Sequence, residues 1–158
     1  MKKLIIAAAL SVAGLQIAGS QSANTSSTFD VTINLTSACQ IGAISAVDFA
    51  YTSFQVGAAA STGGAFNLTC TNLLPYTFGL QAGSGAAVPP GAATINVTDA
   101  AVNLAYVLSA PTNGTANGAA QAKTITGSMA AAQGGNCAAA TCTNGASANK
   151  TQTLIVNF

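Results

Sequence analysis

Phe29-Asp30-Val31-Thr32-Ile33-Asn34-Leu35 alternates strictly between apolar and polar side chains. In an extended chain successive side chains point to opposite faces, so Phe29, Val31, Ile33 and Leu35 share one face and Asp30, Thr32 and Asn34 the other. That pattern predicts a half-buried β-strand. Reading outward, Phe66-Asn67-Leu68-Thr69-Cys70 alternates likewise, and Tyr76-Thr77-Phe78-Gly79-Leu80 follows Pro75. Thr94-Ile95-Asn96-Val97-Thr98 and Leu104-Ala105-Tyr106-Val107-Leu108 are further predicted strands, and Ala122-Lys123-Thr124-Ile125-Thr126 is another candidate. The last is Thr151-Gln152-Thr153-Leu154-Ile155-Val156-Asn157-Phe158. Between these runs lie turn formers such as Gly83, Pro89-Pro90-Gly91, Pro111 and Asn113-Gly114. No segment sustains a helical period, and residues 128–149 read as one long loop. Short strands at this spacing predict an all-β, antiparallel sandwich of immunoglobulin type.

Composition narrows the function classes. The chain has 158 residues, with Lys+Arg 4, Asp+Glu 3, no His and no Trp. Nucleic-acid binding needs clustered cations to neutralise phosphates, and none cluster here. Without His the commonest general base and metal ligand is missing. A Ser–Lys pair using Lys123 or Lys150 is conceivable, but no motif sets a nucleophile beside a base, so no catalytic site and no cofactor are expected. The 50% apolar content overstates the core, because 35 residues are Ala. One thin-cored domain is expected, with Ser, Thr, Asn and Gln carrying the polarity.

The N-terminus reads as an address. Met1-Lys2-Lys3 precedes the apolar run Leu4-Ile5-Ile6-Ala7-Ala8-Ala9-Leu10, and small residues follow to Ala23. This is the layout of a secretory signal peptide over residues 1–23. A membrane anchor is the competing reading; spanning needs about 20 apolar residues, and Gly14 and Gln16 interrupt the run. Its removal leaves Lys123 and Lys150 against Asp30, Asp48 and Asp99, a near-neutral exported chain with no membrane span.

Export permits disulfides. Cys39, Cys70, Cys137 and Cys142 allow three connectivities, which sequence alone does not decide. Locality favours Cys137 with Cys142, closing the loop Cys-Ala-Ala-Ala-Thr-Cys, and then Cys39 with Cys70. A bridge closing about 32 residues contributes about 3–4 kcal/mol in the chain-entropy model, and the short loop about 2. A zinc site, the alternative, needs tight Cys-x-x-Cys pairs and usually His, and neither is present.

Taken in order, several segments resemble the spore coat protein U domain family, which includes pilin subunits of archaic chaperone–usher pili. The resemblance rests on the leader from Phe29 through Cys39-Gln40-Ile41, on Val47-Asp48-Phe49, and on Phe66-Asn67-Leu68-Thr69-Cys70. It continues through Ala105-Tyr106-Val107-Leu108 and closes on Thr153-Leu154-Ile155-Val156-Asn157-Phe158. It implies an incomplete immunoglobulin-like sandwich (residues 37–158) preceded by an N-terminal extension (residues 24–36) that completes a neighbouring subunit. Phe29, Val31, Ile33 and Leu35 would be the donor side chains. Leu154, Val156 and Phe158 would line or flank the acceptor groove and offer a chaperone-binding edge. Cys39 with Cys70 would match the family's bridge, whereas Cys137 with Cys142 lies outside its pattern. The implied partners are other copies in a head-to-tail polymer, a periplasmic chaperone and an outer-membrane usher. The implied destination is a cell-surface fimbrium serving adhesion and biofilm formation.

Other readings are expected to behave differently. Residues 29–35 could be an ordinary first strand paired within its own self-contained, secreted sandwich. A lectin-like or adhesive tip subunit would need a second domain or aromatic loops, and only three Tyr and few loop aromatics are available. A minor adaptor subunit remains an alternative to a fibre-forming one.

Overall fold

The computed structural model describes residues 24–83 and 85–158; the expected signal peptide, residues 1–23, lies outside the described residues. A compact unit spans Leu35 to Phe158, and the chain up to Asn34 is a unit of its own. Among the described residues every regular element is a strand.

The long strands arise where apolar side chains alternate. β1 (Cys39–Ile41), β2 (Val47–Asp48), β3 (Ala59–Ala60) and β4 (Thr62–Gly63) are short, and β5 (Ala65–Cys70) is the first long strand. β5 buries Phe66, Leu68 and Cys70 while Ala65 and Asn67 are exposed, the two-residue period of its sequence. β6 (Pro75–Ala82) buries Tyr76, Phe78 and Leu80, and β7 (Thr94–Thr98) buries Ile95 and Val97. β8 (Ala105–Ser109), β9 (Gly114–Thr115), β10 (Gln121–Thr124), β11 (Thr126–Met129) and β12 (Gln152–Asn157) complete the set.

All ladders are antiparallel. The sheet orders are β1-β5-β10, β3-β11-β8-β7, β12-β6-β9 and the pair β2-β4. The architecture is an immunoglobulin-like sandwich. One buried cluster joins β5, β6, β7 and β8, and Phe78 meets both Phe66 and Tyr76 edge-on, at 5.9 and 5.4 Å. Such offset aromatic contacts supply large buried area to a chain short of big side chains.

Two expectations need correction. The single strand expected over residues 122–126 is two: β10 pairs with β5, and β11 pairs with β8 and β3. Ile125 is the crossing point, buried, with its N–H donating to Gly64 O at 3.0 Å. The chain passes from one sheet to another without a turn, so its apolar alternation gives no sign of the change. Residues 29–35, where the alternation predicts a half-buried strand, are in no strand and are exposed.

The remaining long strands fall where alternation places them; the loop expected over residues 128–149 begins later, because Ser128 and Met129 pair within β11, and residues 130–151 hold no strand. Both bridges form as locality suggested, Cys39–Cys70 and Cys137–Cys142, and no described cysteine is free. Leu68, 1% exposed, sits at the centre of the cluster. Leu68→Ala should cost about 2–5 kcal/mol, read as a lowered denaturant midpoint with both bridges intact.

Candidate functional site

β12 supplies one wall of the site. Its six residues pair with β6 from Gln152 opposite Ala82 to Asn157 opposite Thr77. In the order β12-β6-β9 its other edge has no strand partner among the described residues. Ile155 is buried beneath the 88–91 loop, where Gly91 (φ 72°) lies so close that a Cβ would sit 3.1 Å from Ile155 Cδ1. Asn157 Nδ2 fastens that loop by donating to Pro90 O at 3.1 Å. Leu154 and Val156 point the other way, pack against the core cluster and are only half-buried.

Residues 44–51 form the facing wall. Val47 and Asp48 are held by β4 opposite Gly63 and Thr62. The Phe49 ring packs 5.6 Å from that of Tyr106. Tyr51 OH donates to Ala130 O at 2.9 Å and accepts from Gln133 N at 2.8 Å. Between the walls lies a cavity of about 780 Å³ floored by Leu80, Leu108, Ile125 and Met129. Polar and apolar side chains line it together, Asp48, Asn144, Lys150 and Gln152 beside Leu104 and Leu154, while the floor residues are themselves buried.

One end of the groove is polar. Asp99, 2% exposed, caps the turn after β7: its Oδ1 accepts from Ala101 N at 2.8 Å and Val102 N at 3.1 Å. Burial by itself would raise its pKa, but these backbone N–H groups, with the Ser147 and Asn144 side chains, outweigh burial and hold the carboxyl below the usual value. Asn149 ties the approach to β12 to this turn, its Oδ1 accepting from Ala100 N and its Nδ2 donating to Thr98 O at 2.6 Å. Burial raises the Tyr106 pKa and the Asp99 charge adds to the effect, so the phenol stays neutral; Gln152 Nε2 donates to its oxygen at 3.1 Å.

The residues singled out from sequence are not all brought together. Leu154 lines the cavity; Val156 packs on the core beside it, and Phe158, 60% exposed, lies at the chain end outside the lining. Phe29, Val31, Ile33 and Leu35 are 86%, 73%, 84% and 80% exposed. Asp99 and the wall residues Ile44 and Tyr51 were not anticipated from sequence. Only Val47 and Phe49 carried a signal, through the family resemblance. Among the described residues no group of three metal-ligating side chains occurs, and no helix is long and apolar enough to cross a membrane.

The fold is thus an immunoglobulin-like sandwich with a groove beside β12, preceded in sequence by an exposed segment that is in no strand. The Spore Coat Protein U domain model matches residues 25–144, and the chain belongs to that family. The match takes in the leader and every strand through β11; β12 lies beyond it. The family is a structural pilin domain associated with chaperone–usher pilus subunits and with surface pili. No curated protein and no solved structure matches the chain.

The Asp99 geometry has a pH signature. A carboxyl with a lowered folded pKa contributes stability above its unfolded value, about 3.9, and loses it as pH falls through the folded value. Thermal melts of the wild type should therefore fall in midpoint below about pH 4, and Asp99→Asn should flatten that fall.

Proposed function

We propose that this protein is a structural pilin subunit that polymerises head to tail by donor-strand complementation. Phe29, Val31, Ile33 and Leu35 of one copy fill the groove of the next, and the donor backbone pairs with the open edge of β12. The observation that carries the reading is the cavity of about 780 Å³ beside that edge, in a chain whose leader is in no strand and exposes Phe29, Val31, Ile33 and Leu35. Burying four such side chains is worth up to about 6–12 kcal/mol before ordering costs. That is comparable to a domain's whole net stability of about 5–15 kcal/mol. Strand addition satisfies the unpaired backbone groups and the hydrophobic gap together. Donor and acceptor are different surfaces, so the contact is heterologous and propagates as a filament instead of closing.

On this reading residues 1–23 are a signal peptide, 24–36 the donor extension and 37–158 the pilin domain. A periplasmic chaperone holds the exported subunit by lending a strand to the groove, with Leu154, Val156 and Phe158 along the edge it uses. An outer-membrane usher then joins subunits into a surface fimbrium for adhesion and biofilm formation. The protein acts by assembly and carries out no catalysis.

Replacing both Val31 and Ile33 with Asp puts two charges where the groove is apolar. Fibres should disappear from cells expressing the double variant with its chaperone and usher, while subunit–chaperone complexes remain. Fibres of normal abundance from this variant would show that residues 29–35 are not the donor.

A further inference from the structure

In a fibre built as proposed above, a pull along the axis enters a subunit through its leader and leaves through β12, the edge with which the next copy's leader pairs. The leader meets the folded unit at β1, a strand of only three residues. Three residues of ladder are a weak attachment for a chain end under tension, because each hydrogen bond exchanges readily with water. The backbone route from there to β12 is long, running through residues 40–69 before β6 and its partner β12 are reached.

The fold contains a shorter route. Cys39 and Cys70 are direct partners in the β1–β5 ladder and are joined by a disulfide. Cys70 is the last residue of β5, and only residues 71–74 separate it from β6. β6 holds the groove wall β12 through six consecutive residue pairs. The short connection is braced at every step. Ala38 N donates to Thr71 Oγ1 at 3.0 Å and Thr71 N to Ala38 O at 2.9 Å, clasping the leader's root to the turn. Leu74 N donates to Thr71 O at 3.1 Å, while Leu73 N to Ala116 O and Ala116 N to Leu74 O, both 2.9 Å, tie the turn to the segment after β9.

We infer that the Cys39–Cys70 bridge is a tension junction: it passes pull on the leader straight to the β6–β12 ladder and shields residues 40–69 from it. This rests on the donor-strand reading for its place in the fibre, but the force path belongs to the single subunit. The bridge is thus more than an unfolded-state constraint, since a bridge of the same loop length outside this path would not carry the force.

The test is single-molecule force clamping of the chain held at residue 24 and Phe158, at forces below unfolding, with a thiol reductant present. Cleavage during the hold is read by then raising the force until the chain unfolds, which leaves it longer by up to about 100 Å, the 31-residue separation at ~3.3 Å per residue. Its rate should rise with the applied force, because only a disulfide under tension is pulled toward its exchange transition state. The Cys39→Ala/Cys70→Ala chain should begin to extend at a lower force than the wild type. A cleavage rate independent of force overturns the inference. So does a double variant whose first extension occurs at the wild-type force with only the final length changed. If the double variant does not fold, the force dependence of cleavage in the wild type decides alone. A chain that shows the force-dependent cleavage yet never assembles overturns the fibre reading and leaves the junction standing.

Discussion

The open edge of β12 governs the rest of this molecule. Backbone N–H and C=O groups along a strand need partners, and apolar side chains beneath an edge need cover. Here β6 satisfies one side of β12 while the other faces a gap whose floor is the core itself. Leu154 and Val156 are only half-buried for that reason, although they lie on the core side of their strand. A strand edge in this condition is a place where another strand can add, and on the proposed reading Phe29, Val31, Ile33 and Leu35 of another copy supply it.

The thin core makes this dependence stronger. With 35 Ala and few aromatics, the folded unit draws its packing from a small set: Phe66, Leu68, Tyr76, Phe78, Leu80, Ile95, Val97, Leu108 and Ile125. The two disulfides compensate in different places. Cys39–Cys70 fixes the first strand to a central one, while Cys137–Cys142 closes an exposed loop whose later residues, Cys142 to Asn144, edge the groove. Asp99 and Asn149 close the same end with hydrogen bonds in place of apolar bulk.

How much of this was legible depends on the length of each pattern. β5, β6, β7, β8 and β12 could be read because each carries at least two full alternations, enough to separate a strand from chance. β1, β2, β3, β4 and β9 span two or three residues, less than a readable pattern, and they form because neighbouring strands offer them partners. The change of sheet at Ile125 was hidden because alternation reports which face a side chain takes, not which sheet receives it. For the same reason the leader's amphipathic face was evident while its lack of a partner was not. In the site, Leu154 could be found from its strand, but the facing wall mixes Ile44, Ala46, Val47 and Phe49 without a clean period. Asp99 is a lone acid whose role depends on a turn brought beside residues 144–149 by the fold.

The crossing at Ile125 has a further effect on how the slot behaves when nothing occupies it. Because β10 and β11 are one uninterrupted stretch of backbone serving two sheets, those sheets are stitched together by covalent chain beside the groove floor. Neither can slide past the other there without stretching that chain, so Ile125 stays at the floor whatever the walls do.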